Sequence, residues 1–411
     1  MIHTIKEIYG AAAEEAQTLR YRQAAEEFES MFGRKPERFF SAPGRTEIGG
    51  NHTDHNCGNV LAAGVSLDVI AAVVPTDDGI IRIKSQGYTM DTIDSNDGDI
   101  KDDEENTSAA LVRGVAAGMR RKGYKTGGFL AYTTSNVLKG SGLSSSAAFE
   151  VLTANILSGL YNDFRVTPVE IAQISQFAEN MYFGKPSGLM DQMASSVGSF
   201  ITIDFKDQTT PVIEAIDFDF ASSGHRLCIV DTKGSHEDLT PEYAAVPAEM
   251  RSVAQYFGKT VLREVDRSDV IANIPELRER LGDRAVLRAL HFYDDCERVA
   301  KEAAALKARD FKRFLSLINE SGDSSYKYLQ NIFAPSLPKQ QGLATALYIA
   351  QDVLAGEGAA RVHGGGFAGT IQAFVPEHRL EHFIRRMESV FGEGSCHVLS
   401  VRPFGGTEVR L

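Results

Sequence analysis

The chain has 411 residues, 43% apolar and 24% charged, which is enough to fill more than one core and excludes general disorder or a small disulfide-stapled scaffold. Its 43 Lys and Arg against 55 Asp and Glu leave a formal charge of −12, a balance that repels phosphate backbones and argues against nucleic acid or a membrane as a partner. Four scattered cysteines without a CxxC pair suggest neither a zinc cluster nor a disulfide framework and fit a cytoplasmic protein.

Residues 1–35 read as an opening helix with Leu19, Ala24, Phe28 and Met31 near helical spacing, ended by Gly33 and Pro36. No apolar core behind basic residues marks an export signal there, and the most apolar run, 60–74, is broken by Ser66 and Asp68 and is too short to cross a bilayer. Residues 69–74 and 129–133 have strand composition, 136–142 is loop-like, and 144–160 reads as a helix. Thr167-Pro168-Val169-Glu170 combines an N-cap, a first-turn proline and a capping-box glutamate, opening a helix to about Tyr182 with the stripe Ile171, Ile174, Ala178, Met181. A strand over 200–205 precedes an acidic, Thr-rich stretch, 207–219, and the division into domains 1–206 and 207–411 is placed there. Beyond it come a strand over 225–232, a helix from Thr240-Pro241, helices over 285–306 and 310–318, and a closing strand, helix and strand over 370–375, 378–391 and 397–402. The generic reading is a two-domain, mixed α/β (α+β) protein.

Three segments carry chemistry. Between a strand and a helix stands NVLKGSGLSSSAA, whose Gly140, Ser141, Gly142, Leu143, Ser144, Ser145, Ser146 and Ala147 suit a phosphate cradle: glycines let backbone N–H groups approach, and a helix start adds free donors and a positive dipole end. A Ser-capped helix after a glycine turn is the plain alternative. The segment SAPGRTEIGGNHTDHNCG, 41–58, gathers Arg45, Asn51, His52, Asp54 and His55 among glycines, fixed donors and acceptors that suit a hydroxyl-rich ligand such as a sugar; metal at the two histidines lacks a third His or Cys ligand nearby. The segment RVHGGGFAGT, 361–370, with Gly365 and Gly366, allows close backbone approach to a ligand or simply a tight turn.

In this order the three segments resemble the GHMP small-molecule kinases and, within them, the galactokinases: PGRTEIGGNHTDH resembles that family's sugar-binding stretch, GSGLSSSAA its phosphate loop and GGGFAG its glycine turn. Shorter likenesses at 28–36, 178–180, Gly188-Leu189-Met190-Asp191-Gln192 and Glu242-Tyr243 spread the match over most of the chain. The resemblance implies a GHMP kinase fold, with a ribosomal-protein-S5-like N-terminal domain and a ferredoxin-like C-terminal domain. It implies that Asp191 faces the anomeric hydroxyl, with Arg45 beside it and the γ-phosphate, that Ser146 and Glu179 hold Mg²⁺, and that Asn51, His52, Asp54, Gly188 and Tyr243 line the sugar. Gly365 and Gly366 would approach the phosphates of ATP. A monomer or weak homo-oligomer acting on a small sugar and MgATP is expected.

Asn51 stands where galactokinases usually have Glu, and His55 where they have Tyr. The Glu is expected near the C6 hydroxyl, so a C6 carboxylate, as in galacturonate, becomes a second reading, with His55 as an added cation. Leu138, His363 and Ala368 replace the common Pro, Thr and Gly, and the Arg pair that often follows Glu-Tyr is missing, which weakens Tyr243 as a sugar contact. A non-catalytic sensor of sugar and ATP is the rival of another class; the intact run 144–148, with Arg45, Glu179 and Asp191, favours catalysis.

Overall fold

The computed structural model describes residues 2–137, 142–185, 187–234 and 239–411. Its strands are β1 (Ile2–Thr4), β2 (Arg38–Gly49), β3 (Asn59–Thr76), β4 (Ile80–Ser85), β5 (Met90–Asp94), β6 (Gly128–Ser135), β7 (Phe200–Asp204), β8 (Val212–Ile216), β9 (His225–Asp231), β10 (Ala359–His363), β11 (Thr370–Pro376), β12 (Cys396–Leu399) and β13 (Thr407–Arg410). Among the described residues they form two sheets, one in the order β1-β13-β2-β3-β6-β4-β5 with β7 and β8 branching from β3, the other β10-β11-β9-β12.

The long β3 pivots the first sheet, pairing with β6 from Val69 to Thr76 and with β7 from Asn59 to Ala63. Apart from Ser66 and Asp68 its run from Val60 to Val74 has no polar break, because both faces are covered. Val69, Ala71 and Val73 join the core under the helices Ser108–Arg121, Ser145–Tyr161 and Pro168–Ala178, while Ile70, Ala72 and Val74 pack with Tyr21, Ala24 and Phe28 of the helix Glu14–Phe32. The second sheet buries Val230, Val362, Ile371 and Ala373 against Ala346, Ala350 and Val353 of Gly342–Leu354 and Phe383 and Met387 of Leu380–Phe391.

Several expectations shift. Leu19 and Met31 are 56% and 39% exposed, and Tyr21 takes the inward place, its hydroxyl 2.9 Å from that of Tyr9. The Thr167–Glu170 capping box forms as expected, but the α-helix stops at Ala178 and widens into a π-helical turn, Glu179–Phe183. The wider turn carries Met181 out of the stripe to an exposed position, whereas Glu179 continues the buried face of Ala172 and Ser175. The helix Ser108–Arg121, started by Thr107, and the strands β4 and β5 had no clear sequence signal.

The sheets do not part at residue 206. β8 continues the first sheet through β7, and β13 returns from the far end of the chain to pair with β1 and β2. Asp68 on β3, fully buried, fastens that return: Arg402 reaches it at 2.9 Å and Arg20 at 2.6 Å. The far end of β2 meets the second sheet, where Gln372 Nε2 donates to Thr46 Oγ1 (2.5 Å) and to the Glu47 carbonyl (3.0 Å). That junction places the sugar-like stretch between the two halves.

Candidate active site

Register shifts between Pro43 and Arg45 and between Glu47 and Gly49 interrupt the β2–β3 ladder on either side of Arg45, the local distortion that re-aims a strand side chain. Its Nε donates to Asp191 Oδ1 at 2.7 Å, Nη2 lies 2.7 Å from the same oxygen, and Nη1 donates to the Gly142 carbonyl. The backbone of Arg45 also donates to the Leu143 carbonyl at 3.0 Å, and a Cβ on Gly44 would come 2.9 Å from that oxygen, so strand and phosphate-loop segment touch directly. From the first turn of Met190–Val197, Asp191 accepts on Oδ2 from Ser144 Oγ at 2.7 Å. Ser144 has the left-handed φ of 56° and does not cap its helix with its side chain; the hydroxyl serves Asp191 instead. Burial alone would raise the Asp191 carboxyl, but Arg45 above all, then Ser144 and more distantly Lys185, hold it below the ordinary carboxylate range. Burial likewise opposes the Arg45 charge, and Asp191, Glu47 and Asp54 more than offset it.

A second cluster lies beside the first. Ser146 Oγ donates to Glu179 Oε1 at 2.9 Å, Lys185 Nζ lies 3.0 Å from the same oxygen, and Gln192 Nε2 donates to Oε2 at 2.7 Å. Gln192 also reaches Glu150 Oε2 at 3.2 Å. Glu150 is fully buried with Oε1 unpartnered; burial first, then the charge of Glu179, raises its carboxyl well above the ordinary value. One hydroxyl and one buried carboxylate are hard oxygen donors of the kind Mg²⁺ takes when phosphates complete its shell. Among the described residues there is no group of three or more His, Cys, Asp or Glu that could hold a metal ion.

The sugar-like stretch divides. Asp54 and Gly188 lie together, since a Cβ on Gly188 would meet Asp54 Oδ2 at 2.7 Å, and His55 is 41% exposed beside them. His52 is buried, its Nε2–H donating to the Gly365 carbonyl at 2.9 Å; burial and then the nearby His55 push it down to about 4, a neutral ring at physiological pH. Asn51, expected to face the sugar, turns inward instead. It is fully buried, with Nδ2 donating to Glu47 Oε1 (2.9 Å) and the Gly364 carbonyl (2.8 Å), and Oδ1 accepting from Asn331 (2.8 Å) and Ser325 (3.3 Å). Four partners use the whole hydrogen-bonding capacity of that amide.

Tyr243 lies over the glycine turn, its hydroxyl donating to the Gly366 carbonyl at 2.7 Å; a Cβ on Gly365 would strike its ring at 2.7 Å, and one on Gly366 would meet the Asn331 carbonyl at 2.1 Å. The carbonyls of Gly364, Gly365 and Gly366 therefore face the sugar-like stretch and Tyr243. The turn adjoins the phosphate loop through His363, which bridges Thr46 and Thr370 at 3.0 Å each and would crowd a side chain at Gly142 at 3.1 Å. Ala368 lies outside the positive-φ residues, whereas Phe367 has φ 57°, so the extra methyl at 368 brings no left-handed strain. Gly140 and Ser141, like Leu138, lie outside the described residues.

Sequence reasoning missed Glu47, Gln192 and Lys185, and it missed a cleft of about 590 Å³ against the phosphate loop. Val69, Tyr88, Leu111, Val137, Phe149 and Phe183 give that cleft apolar walls, and Gln86, Asn106, Thr107, Ser145 and Ser146 supply polar groups. Its residues come from six separate segments, of which only the one with Ser145 and Ser146 bears a motif; the Thr107 N-cap could have hinted at the helix that forms one wall.

Residues 26–75 match the family model for the galactokinase galactose-binding signature, and residues 110–199 that for the GHMP kinases N terminal domain. The chain is 32% identical over 371 residues to galactokinase of Streptomyces coelicolor, covering 89% of this chain and 92% of that one. It is 31% identical over 374 residues to galactokinase of Actinobacillus pleuropneumoniae serotype 3, covering 88% and 91%. Among solved structures, Lactococcus lactis galactokinase complexed with galactose aligns with a TM-score of 0.78 at 24% identity over 94% of this chain and 99% of that one. A mevalonate kinase aligns at 0.63 and 15% identity over 89% and 99%, so the fold is that of the GHMP kinases.

Proposed function

The chain belongs to the galactokinase family, and on that premise we propose that it transfers the γ-phosphate of ATP to the anomeric hydroxyl of galactose or a close relative. The observation that carries this reading is the contact of Asp191 with both Arg45 and Ser144, which joins the sugar-like strand, the phosphate loop and the stretch 188–192 at one carboxylate. The nucleoside would occupy the cleft of about 590 Å³, whose polar floor includes Ser145 and Ser146. Ser146 and Glu179 would hold Mg²⁺, which when bound offsets charge on the phosphate oxygens.

Asp191 is ionised at physiological pH, and its lowered affinity for protons makes it a weak early base. It orients the anomeric hydroxyl, with Asp54 a further acceptor, and accepts the proton as the bond to phosphorus forms and the hydroxyl becomes acidic. Arg45 steadies that carboxylate and presents fixed positive charge toward the transferring group. Neutral His52 and Tyr243 hold the glycine turn in register through the Gly365 and Gly366 carbonyls. The internal bonds of Asn51 leave no free amide for a C6 carboxylate, which favours galactose over galacturonate. No helix among the described residues is long and apolar enough to cross a membrane, and the four cysteines are free thiols, which suits work in the reducing cytoplasm.

The test is ADP release with MgATP over galactose, galacturonate, N-acetylgalactosamine, arabinose and glucose. Galactose should give the highest kcat/KM. Release with none of the five would overturn the reading, and a preference for galacturonate would overturn the argument from Asn51.

A further inference from the structure

Lys185 lies outside every motif, yet it is bound to Glu179 twice. Its backbone N–H donates to the Glu179 carbonyl at 3.2 Å, and its ammonium lies 3.0 Å from Glu179 Oε1. In a continuous α-helix a residue six positions on would point away from Glu179. Here the π-helical turn Glu179–Phe183 and Gly184, at φ 85°, fold the chain back so that the side chain returns. The φ of Gly184 is one that residues with a side chain rarely adopt, which favours glycine at this fold-back.

The ammonium and Ser146 Oγ converge on the same carboxylate oxygen, the one a metal shared by Ser146 and Glu179 would also draw on. Two cations on one oxygen repel strongly, so the ammonium and a divalent ion exclude each other there. Glu179 is 2% exposed while Lys185 is 55% exposed, so it is the lysine that is free to move. Its flexible stem carries a compact point charge with three rotatable donors, suited to phosphate oxygens in varied positions. Asp191, which would face the acceptor hydroxyl, already feels that charge.

We propose that Lys185 is a catalytic cation of the phosphoryl transfer: Glu179 holds its ammonium beside Ser146 at the edge of the cleft, and with Glu179 engaged by a divalent ion the ammonium would turn to the phosphate oxygens of the nucleotide. The proposal rests on the kinase reading and adds to Arg45 a second side-chain cation whose position depends on the metal.

The experiment compares the full-length protein with Lys185→Met, Lys185→Gln and Lys185→Arg. Calorimetric titration of ADP at stepped Mg²⁺ concentrations reads the competition without any turnover. With the ammonium removed, Mg²⁺ should half-saturate its enhancement of ADP binding at a concentration about three- to tenfold lower in the Met and Gln variants. In the steady state their kcat should fall by about 10- to 100-fold with the sugar KM within about twofold, and Lys185→Arg should recover most of the loss. An unchanged Mg²⁺ half-saturation in both neutral variants, or a kcat within twofold of the parent, would overturn the proposal. ADP binding by the parent that ignores Mg²⁺ would overturn the kinase reading instead, which keeps the two failures distinct.

Discussion

The two banks of the cleft use their polar groups in opposite ways. On the phosphate bank, Arg45, Asp191, Ser144, Ser146, Glu179 and Lys185 are bound to one another around the cleft, and charge is balanced by pairs drawn from separate segments. On the glycine-turn bank, Asn51, Glu47, Arg361, Asn331 and His363 are buried and face inward, tying β2 to β10 and the turn that follows. Glu47 illustrates the cost: burial raises its carboxyl, and Arg361 at 3.1 Å and Asn51 only partly counter that. The contrast teaches that motif residues a few positions apart divide between chemistry and assembly, and that partner geometry rather than residue type separates them.

The largest expected effect breaks the phosphate bank. Asp191→Asn should lower kcat by about a thousandfold or more while galactose binding, read by calorimetry, stays within a few-fold. Unchanged turnover would remove the carboxylate from the mechanism. On the other bank, Asn51→Ala orphans the Gly364 carbonyl and leaves Glu47, Asn331 and Ser325 each one partner short; it should cost about 2–4 kcal/mol in denaturant unfolding. A variant that keeps its stability but loses sugar affinity would move Asn51 to the catalytic side.

A smaller effect concerns Glu302, which is buried without a partner behind Gly49, where a Cβ would come within 2.0 Å of its carboxylate. Burial first, and then Asp295, raise it to about 8 from an ordinary 4.5. The folded state therefore holds a proton that the unfolded state releases, so stability should fall as pH rises from the ordinary value toward 8 and level off above it. Glu302→Gln should flatten that decline and gain about 1–3 kcal/mol at pH 8, seen as a higher melting temperature there but little change at pH 5. A parallel decline in both proteins would locate the pH dependence elsewhere. Smallest is Thr167→Ala, which removes the capping box far from both banks and should cost about 1 kcal/mol in stability with kcat/KM unchanged.

What was legible in the sequence was whatever local chemistry dictates. The capping box at Thr167 and the helix behind the serine run follow from residue types at fixed spacings, and the three motifs were enough to suggest the family; Asp191 was singled out only through that resemblance. The inward turn of Asn51 was not legible, because its four partners come from residues 47, 325, 331 and 364. Nor was the burial of Glu179, since the side chains that surround it, Ser146, Lys185 and Gln192, come from separate segments. The 590 Å³ cleft escaped because its walls are assembled from six separate stretches of strand, helix and loop, of which only the serine run carried a motif.

β13 gives the molecule an order of assembly. Thr407, Glu408 and Val409 pair with Ser41, Phe40 and Phe39, partners more than 360 positions earlier, and Arg38 is ion-paired to Glu408. While the chain emerges from the ribosome, the edge of β2 at Phe39 to Ser41 stays open until residues 407–409 appear, so a sheet begun early waits on a strand made far later.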